Sequence, residues 1–321
     1  MERSKDPARG RRRWWRLTAL LVGLALVIEV VLRVAFGFCD TVLMRADPDY
    51  EYIAQPAQER CRFGNHIVYN SLSMRSEEPD TSAILVLGCG DSVINGGVLT
   101  DQDSLATELL SKELSDTFGR RVQVLNLSAG SWGPDNCAAY LRKTTLPRVA
   151  AVILFASSHD AHDNMSFKPV VGVNKSFPSV QYPSAILELW DRYVLPRIWK
   201  SKVDVDNELG IDKGEDGFNP GFMALKHFAE GLGIPFIIYL HAEASEIERG
   251  AYNAQGQEII RFAQEQGVHL VKDLDHSVAK ELLRDKIHPN ARGQRKIADI
   301  LLFDMEANSA SYGLQGPGAR P

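Results

Sequence analysis

From Ser82 to Glu306 the chain alternates short apolar runs with longer stretches of helical spacing, and that alternation leaves few folds open. AILVLG, RVQVLNLS, AAVILFAS, GIPFIIYLHA and GVHLVKDL read as strands with apolar residues on both faces. Between them, SLATELLSKELSDTFG puts Leu105, Leu109, Leu110 and Leu114 on one helical face and ends at Gly119. NCAAYLRKTTL, FMALKHFAEGL and EIIRFAQEQ read as further helices, and ARGQRKIADILLFDME follows the last strand. A strand that is apolar on both sides must be covered on both sides. Strand, helix, strand at this cadence therefore predicts a parallel sheet with helices on each face.

The flanks differ in kind. Arg3, Lys5, Arg9, Arg11, Arg12, Arg13 and Arg16 make residues 1–16 strongly basic, although the whole chain carries a net charge of −5, which argues against a nucleic-acid-binding body. Residues 17–28 have no charge, and the apolar run 17–38 is 22 residues long, enough at about 1.5 Å per residue to cross a hydrocarbon core of roughly 30 Å. Glu29 and Arg33, four apart, can pair on one face of that helix. Arg33 falls where a signal peptidase would cut, and Phe38 precedes Cys39 where a lipoprotein signal wants a small residue. The segment reads as an uncleaved anchor, with Trp14 and Trp15 at the interface, the basic tail cytoplasmic and the rest of the chain extracytoplasmic.

Residues 39–81 are polar and turn-rich and read as a connector packed on the body, with a short strand at 67–69. Residues 165–219 break the cadence of 82–306 and read as an insertion with one helix carrying Trp190, Tyr193 and Trp199. Residues 307–321 read as a disordered tail. Cys39, Cys61, Cys89 and Cys137 fit no metal spacing. Cys39 and Cys61 are spaced for a bridge in an oxidising compartment, or all four are buried thiols.

In an open parallel sheet, ligands bind at the carboxyl ends of the strands. The first strand ends in GCGDSV, and elimination narrows its chemistry. A dinucleotide fingerprint needs a third glycine where Val93 stands, and a phosphate-binding loop needs a lysine that Gly96 and Gly97 do not lead to. Ile94 stands where the second glycine of a G-x-S-x-G elbow belongs, so that motif is absent too. What remains is a serine on a tight turn, and a serine needs a base. RDKIHPN, late in the chain, supplies Asp285 three residues before His288, so a carboxylate can orient the imidazole within one loop.

These two blocks, with NLSAGSWG between them, resemble the SGNH (GDSL-type) hydrolase family over roughly residues 82–306. The resemblance is to membrane-tethered members associated with exopolysaccharide genes. It implies a three-layer, flavodoxin-like α/β fold and a triad of Ser92, Asp285 and His288. It also implies an oxyanion hole built from the backbone amides of Ser92 and Gly130. The family's third block, G-x-N-D, here reads Ser157-Ser158-His159-Asp160, so His159 replaces the usual asparagine donor. His159 or Asn164 is then the third oxyanion donor.

No cofactor and no metal is expected. His162 and Asp163 read as a polar loop, and Cys89 as packing in the turn. His241 and Glu243 end the fourth strand at the same sheet edge and, with Trp190 and Trp199, are candidates to face substrate. The expected reaction is removal of an O-acyl group, acetyl foremost, from a carbohydrate or cell-envelope polymer. Acyl transfer to a polysaccharide, hydrolysis of a lipid ester or thioester, and a non-catalytic carbohydrate-binding or assembly role remain as alternatives.

Overall fold

The computed structural model describes residues 7–198, 211, 213–214 and 217–312. The five predicted strands are present as β5 (Ile84–Gly90), β6 (Val122–Ser128), β7 (Ala151–Ser157), β8 (Phe236–His241) and β9 (His269–Lys272). They form one parallel sheet in the order β6-β5-β7-β8-β9. Numbered among themselves, the strands run second, first, third, fourth, fifth, which is the flavodoxin-like order. The direction of winding reverses between β5 and β7, so the loops after those two strands diverge and leave a crevice at the carboxyl edge. Register aligns Gly90 with both Ser128 and Phe155, and Ser157 with His241.

Alternation along the strands divides the core in two. Leu85 and Leu87, with Leu125, Leu127, Leu154 and Ile238, pack under the helices Pro134–Lys143, Gly221–Leu232 and Ala254–Gln266. Val86, Val124, Ile153 and Ile237 face the helices Ala106–Phe118 and Ala291–Ala307 through Leu110, Leu114, Ile297 and Leu301. Each fully buried side chain of this size contributes about 1.5–3 kcal/mol, and cutting Ile153 to alanine costs roughly 2–5 kcal/mol. Leu105, Leu110 and Leu114 are fully buried, as their helical spacing predicts.

The flanking segments are more built than their composition suggests. The N-terminal helix α1 (Pro7–Phe36) contains the 24-residue stretch Arg13–Phe36, whose most apolar 18-residue window has a mean hydropathy of 2.5, and it is long and apolar enough to cross a membrane. It stops two residues short of the expected boundary. Gly37 takes a left-handed φ of 68°, and a Cβ there would sit 2.0 Å from the Cys61 carbonyl oxygen. Phe38 turns into the body against Phe63 and Tyr193.

Residues 39–81 form two hairpins, β1–β2 (Met44–Asp47 with Glu51–Ala54) and β3–β4 (Gln58–Arg62 with Asn65–Tyr69). Their Tyr52, Ile53, Ile67 and Met74 join the main core. Only part of β4 is legible in the sequence, because Arg, Glu, Gln and His mask the alternation in these strands.

The insertion helix runs from Ala185 to Ile198 through a π-helical stretch at Trp190–Val194. Its Glu188 forms a buried ion pair with Arg62 at 2.5 Å, and Arg62 also donates to the Gly37 carbonyl at 3.0 Å. Glu29 pairs with Arg33 at 2.7 Å as its spacing predicts. It also accepts hydrogen bonds from Ser184 Oγ and from the N–H groups of Ala185 and Ile186. The end of α1 and the start of the insertion helix are thereby joined. All four cysteines are free thiols. The chain does not unravel at 307, since Ser309–Tyr312 form a 3-10 turn and Tyr312 is fully buried.

Candidate active site

The sharp turn after β5 begins as soon as the strand leaves the sheet. Asp91 caps the one-turn helix α2 (Ser92–Asn95), its Oδ1 accepting the Val93 N–H at 2.8 Å. Gly96 closes the turn in the left-handed conformation, φ 70°, its N–H donating to the Ser92 carbonyl at 3.0 Å. Without a Cβ, glycine takes this conformation at little cost, and the turn needs it. Ser92 is thus held at the first position of a helix at the carboxyl edge of the sheet.

The loop before the last helix brings the base. His288 Nε2 lies 2.9 Å from Ser92 Oγ, and its Nδ1 lies 2.8 Å from Asp285 Oδ2. Asp285 Oδ1 accepts the N–H groups of Ile287 (3.0 Å) and His288 (2.9 Å), which fixes the carboxylate inside its own loop. Burial raises the Asp285 pKa, but these N–H groups and the imidazole outweigh it and hold the carboxyl below its usual range. An ionised Asp285 requires the proton on Nδ1, so Nε2 offers its lone pair to the Ser92 hydroxyl. This geometry lets His288 take the hydroxyl proton as Ser92 Oγ attacks a carbonyl carbon, and later return it to the leaving group. Among the described residues, neither the Ser92 nor the Gly130 amide N–H donates a hydrogen bond. Neither amide is therefore committed to an acceptor inside the protein. Gly130 itself is held by its carbonyl, which accepts the buried Tyr52 hydroxyl at 2.8 Å.

Both side chains expected as a third oxyanion donor are turned toward other partners. The Asn164 amide donates to the Gly217 carbonyl at 3.1 Å, and its backbone pairs with Gly214. His159 stands among four carboxylates, with Nδ1 3.3 Å from Glu243 Oε1 and Nε2 3.7 Å from Asp91 Oδ2, 3.9 Å from Asp163 and 4.0 Å from Asp160. Burial favours the neutral ring, but the charges of Asp160, Asp91 and Glu243 outweigh it and raise the His159 pKa well above its ordinary value. His162 pairs with Glu258 at 2.9 Å, in keeping with a polar loop.

The candidates to face substrate separate. His241 is buried, its Nδ1 2.9 Å from Asp273 Oδ2 and its Nε2 2.8 Å from the Ile287 carbonyl, so both nitrogens are used inside the protein. It braces the catalytic loop and does not face substrate. Glu243 accepts from His159. Trp190 is half exposed on the insertion helix, the element joined to α1, and Trp199 lies outside the described residues. Cys89 is fully buried in the core, as expected.

Two positioning residues have no signature in the sequence. Arg75, fully buried, donates to the carbonyls of Asn95 (2.7 Å), Gly97 and Thr100 (2.8 Å), which clamps the far end of the nucleophile turn. Gln294, also fully buried, accepts the Ala106 N–H at 2.9 Å and donates to the Val93 carbonyl at 2.6 Å. It ties the helix that follows His288 to the helix that carries Ser92. A polar residue at a position whose helical spacing reads as core was the one available signal.

No family model matches the chain, and no curated protein matches it. Several solved structures are similar in fold. One is a member of the lipolytic protein G-D-S-L family from Veillonella parvula, 12% identical, covering 69% of this chain and 97% of that one with a TM-score of 0.38. A psychrotrophic esterase from Pseudoalteromonas sp. is 13% identical over 70% of this chain and 97% of its own, with a TM-score of 0.40. An acetylxylan esterase from Geobacillus stearothermophilus, solved as a catalytic mutant, is 15% identical over 70% and 94%, with a TM-score of 0.41. The likeness is coarse, and the site is read from its own geometry.

Proposed function

We propose that this chain is a serine esterase of the SGNH (GDSL-type) kind that removes O-acyl groups, acetyl foremost, from a carbohydrate or cell-envelope polymer. The observation that carries the reading is the hydrogen-bonded series Ser92–His288–Asp285, with contacts of 2.9 and 2.8 Å. Ser92 is the nucleophile, His288 the general base and acid, and Asp285 the orienting carboxylate. The amides of Ser92 and Gly130 hold the oxyanion.

Openness favours water as the acyl acceptor. The Asp285 side chain is 48% exposed and that of His288 30%, so the acyl-serine would meet solvent directly, and a bulky polymer can approach. Acyl transfer would need water kept out. The apolar helix Arg13–Phe36 supports a membrane anchor, which would hold the domain beside envelope substrates on the extracytoplasmic side. Hydrolysis of p-nitrophenyl acetate and of acetylated xylan by the full chain in detergent tests the reading. The parent should turn over, and Ser92→Ala and His288→Ala should not. Equal turnover by folded Ser92→Ala would overturn it.

A further inference from the structure

The surroundings of His159 are not explained by the triad. A charged imidazole that merely neutralises carboxylates draws at least one of them to about 2.7–2.9 Å. Nothing of the kind happens at Nε2, where the oxygens of Asp91, Asp163 and Asp160 stand off at 3.7, 3.9 and 4.0 Å. The donor atoms of Asp91, His159 and Asp160 all lie within 4.8 Å of one another. Ligand atoms around a first-row divalent ion, each about 2.1 Å from the metal, are separated by roughly 3.0–4.3 Å. The spacing here is close to a coordination shell and too wide for hydrogen bonds.

Each side chain divides its atoms in a way that fits. Asp160 is 2% exposed, and its Oδ2 accepts the Ser157 N–H at 2.7 Å. Its buried Oδ1 has no hydrogen-bond partner and is turned into the cluster. A buried carboxylate oxygen left unpaired is costly. Asp91 uses Oδ1 to cap α2 and presents Oδ2 to the same space. His159 is bonded at Nδ1 by Glu243, the carboxylate–histidine arrangement that fixes a ring so that Nε2 can ligate a metal.

We propose that Asp91, His159 and Asp160 form a divalent-cation site beside the nucleophile turn, with Asp163 at its rim and Glu243 supporting His159 from behind. Two carboxylates and one imidazole make a mixed oxygen and nitrogen donor set that fits a first-row divalent ion, for which Mn2+ is the spectroscopic probe. The site shares Asp91 with the cap of the Ser92 helix, whose Oγ lies 3.5 Å from Asp91 Oδ2. An ion held there fixes that cap and adds positive charge beside the reacting centre. Cation binding does not depend on the esterase reading.

The test is titration of the full chain in detergent, stripped of metal, with Mn2+, following the free-ion electron paramagnetic resonance signal. The parent should saturate at one ion per chain and show imidazole nitrogen coupling in the echo modulation. Ser92→Ala should bind equally, which separates this site from the reaction. Asp160→Asn should abolish saturable binding, His159→Gln should remove the nitrogen coupling, and Glu243→Gln should weaken affinity about 10- to 100-fold. His159 is less buried than Asp160, so its variant serves if Asp160→Asn does not fold. No saturable binding by the parent, or unchanged nitrogen coupling in the folded His159→Gln variant, would overturn the proposal.

Discussion

His241 Nε2 lies 2.8 Å from the carbonyl oxygen of Ile287, one residue before His288. Its other nitrogen faces the Asp273 carboxylate at 2.9 Å. Both partners are acceptors, so satisfying both requires the doubly protonated ring. The end of β8 therefore grips the catalytic loop through a buried cation whose counter-charge, Asp273, also accepts the Ala242 N–H and the Tyr252 hydroxyl.

That grip should depend on pH. Burial lowers the His241 pKa, but Asp273 outweighs it and the net shift is upward. A pKa raised in the folded state stabilises fully below the unfolded value, near 6.5, and the benefit is lost as pH rises through the folded value. The Tm of the parent should exceed that of His241→Gln most at pH 6, and the gap should narrow toward pH 9. A gap that does not change with pH would contradict the charged ring.

Glu108 should also make the fold less stable as the pH rises. Burial pushes its carboxyl up to about 7, with Gln102 donating to it at 3.1 Å. Folding then favours the protonated acid, so stability falls as pH rises from the unfolded pKa, near 4.3, through about 7. Glu108→Gln should match the parent at pH 5 and melt higher at pH 8, by thermal unfolding in the same buffer series. An equal Tm at pH 8 would count against a buried acid.

Gln294→Met should destabilise by about 2 kcal/mol or more, because it leaves the Ala106 N–H and the Val93 carbonyl buried without partners. Chemical denaturation measures this directly. A change below about 0.5 kcal/mol would mean that the two groups find other partners.

Asp285→Asn should lower kcat for p-nitrophenyl acetate by roughly 10³- to 10⁴-fold while KM changes little, since the amide no longer fixes the Nδ1–H tautomer of His288. A loss confined to KM would move Asp285 out of the triad.

The sheet and the hydrogen-bonded series Ser92–His288–Asp285 are legible for a shared reason: each is written in short-range pattern. Alternating apolar runs define the strands, and Asp285 and His288 lie three apart in one loop. Ser92 announces itself by breaking a buried strand. Arg75 and Gln294 act through partners from distant parts of the chain, so nothing near them in sequence marks their role. His241 was placed at the correct sheet edge, but only its partners Asp273 and Ile287 show that it turns inward. Glu29 was read as half of a helical pair, and its second task, binding the first turn of the insertion helix, needs the fold to be seen. The hairpins of 39–81 were missed because their charged strands carry little apolar alternation.

The central claim is that Ser92 is an activated nucleophile. Its most direct test is to treat the full chain with a fluorophosphonate, digest it and locate the label by mass spectrometry. The account predicts one label per chain, on Ser92, with labelling lost in His288→Ala although Ser92 is still present. A folded parent that takes no label, or one labelled at another residue, would contradict it.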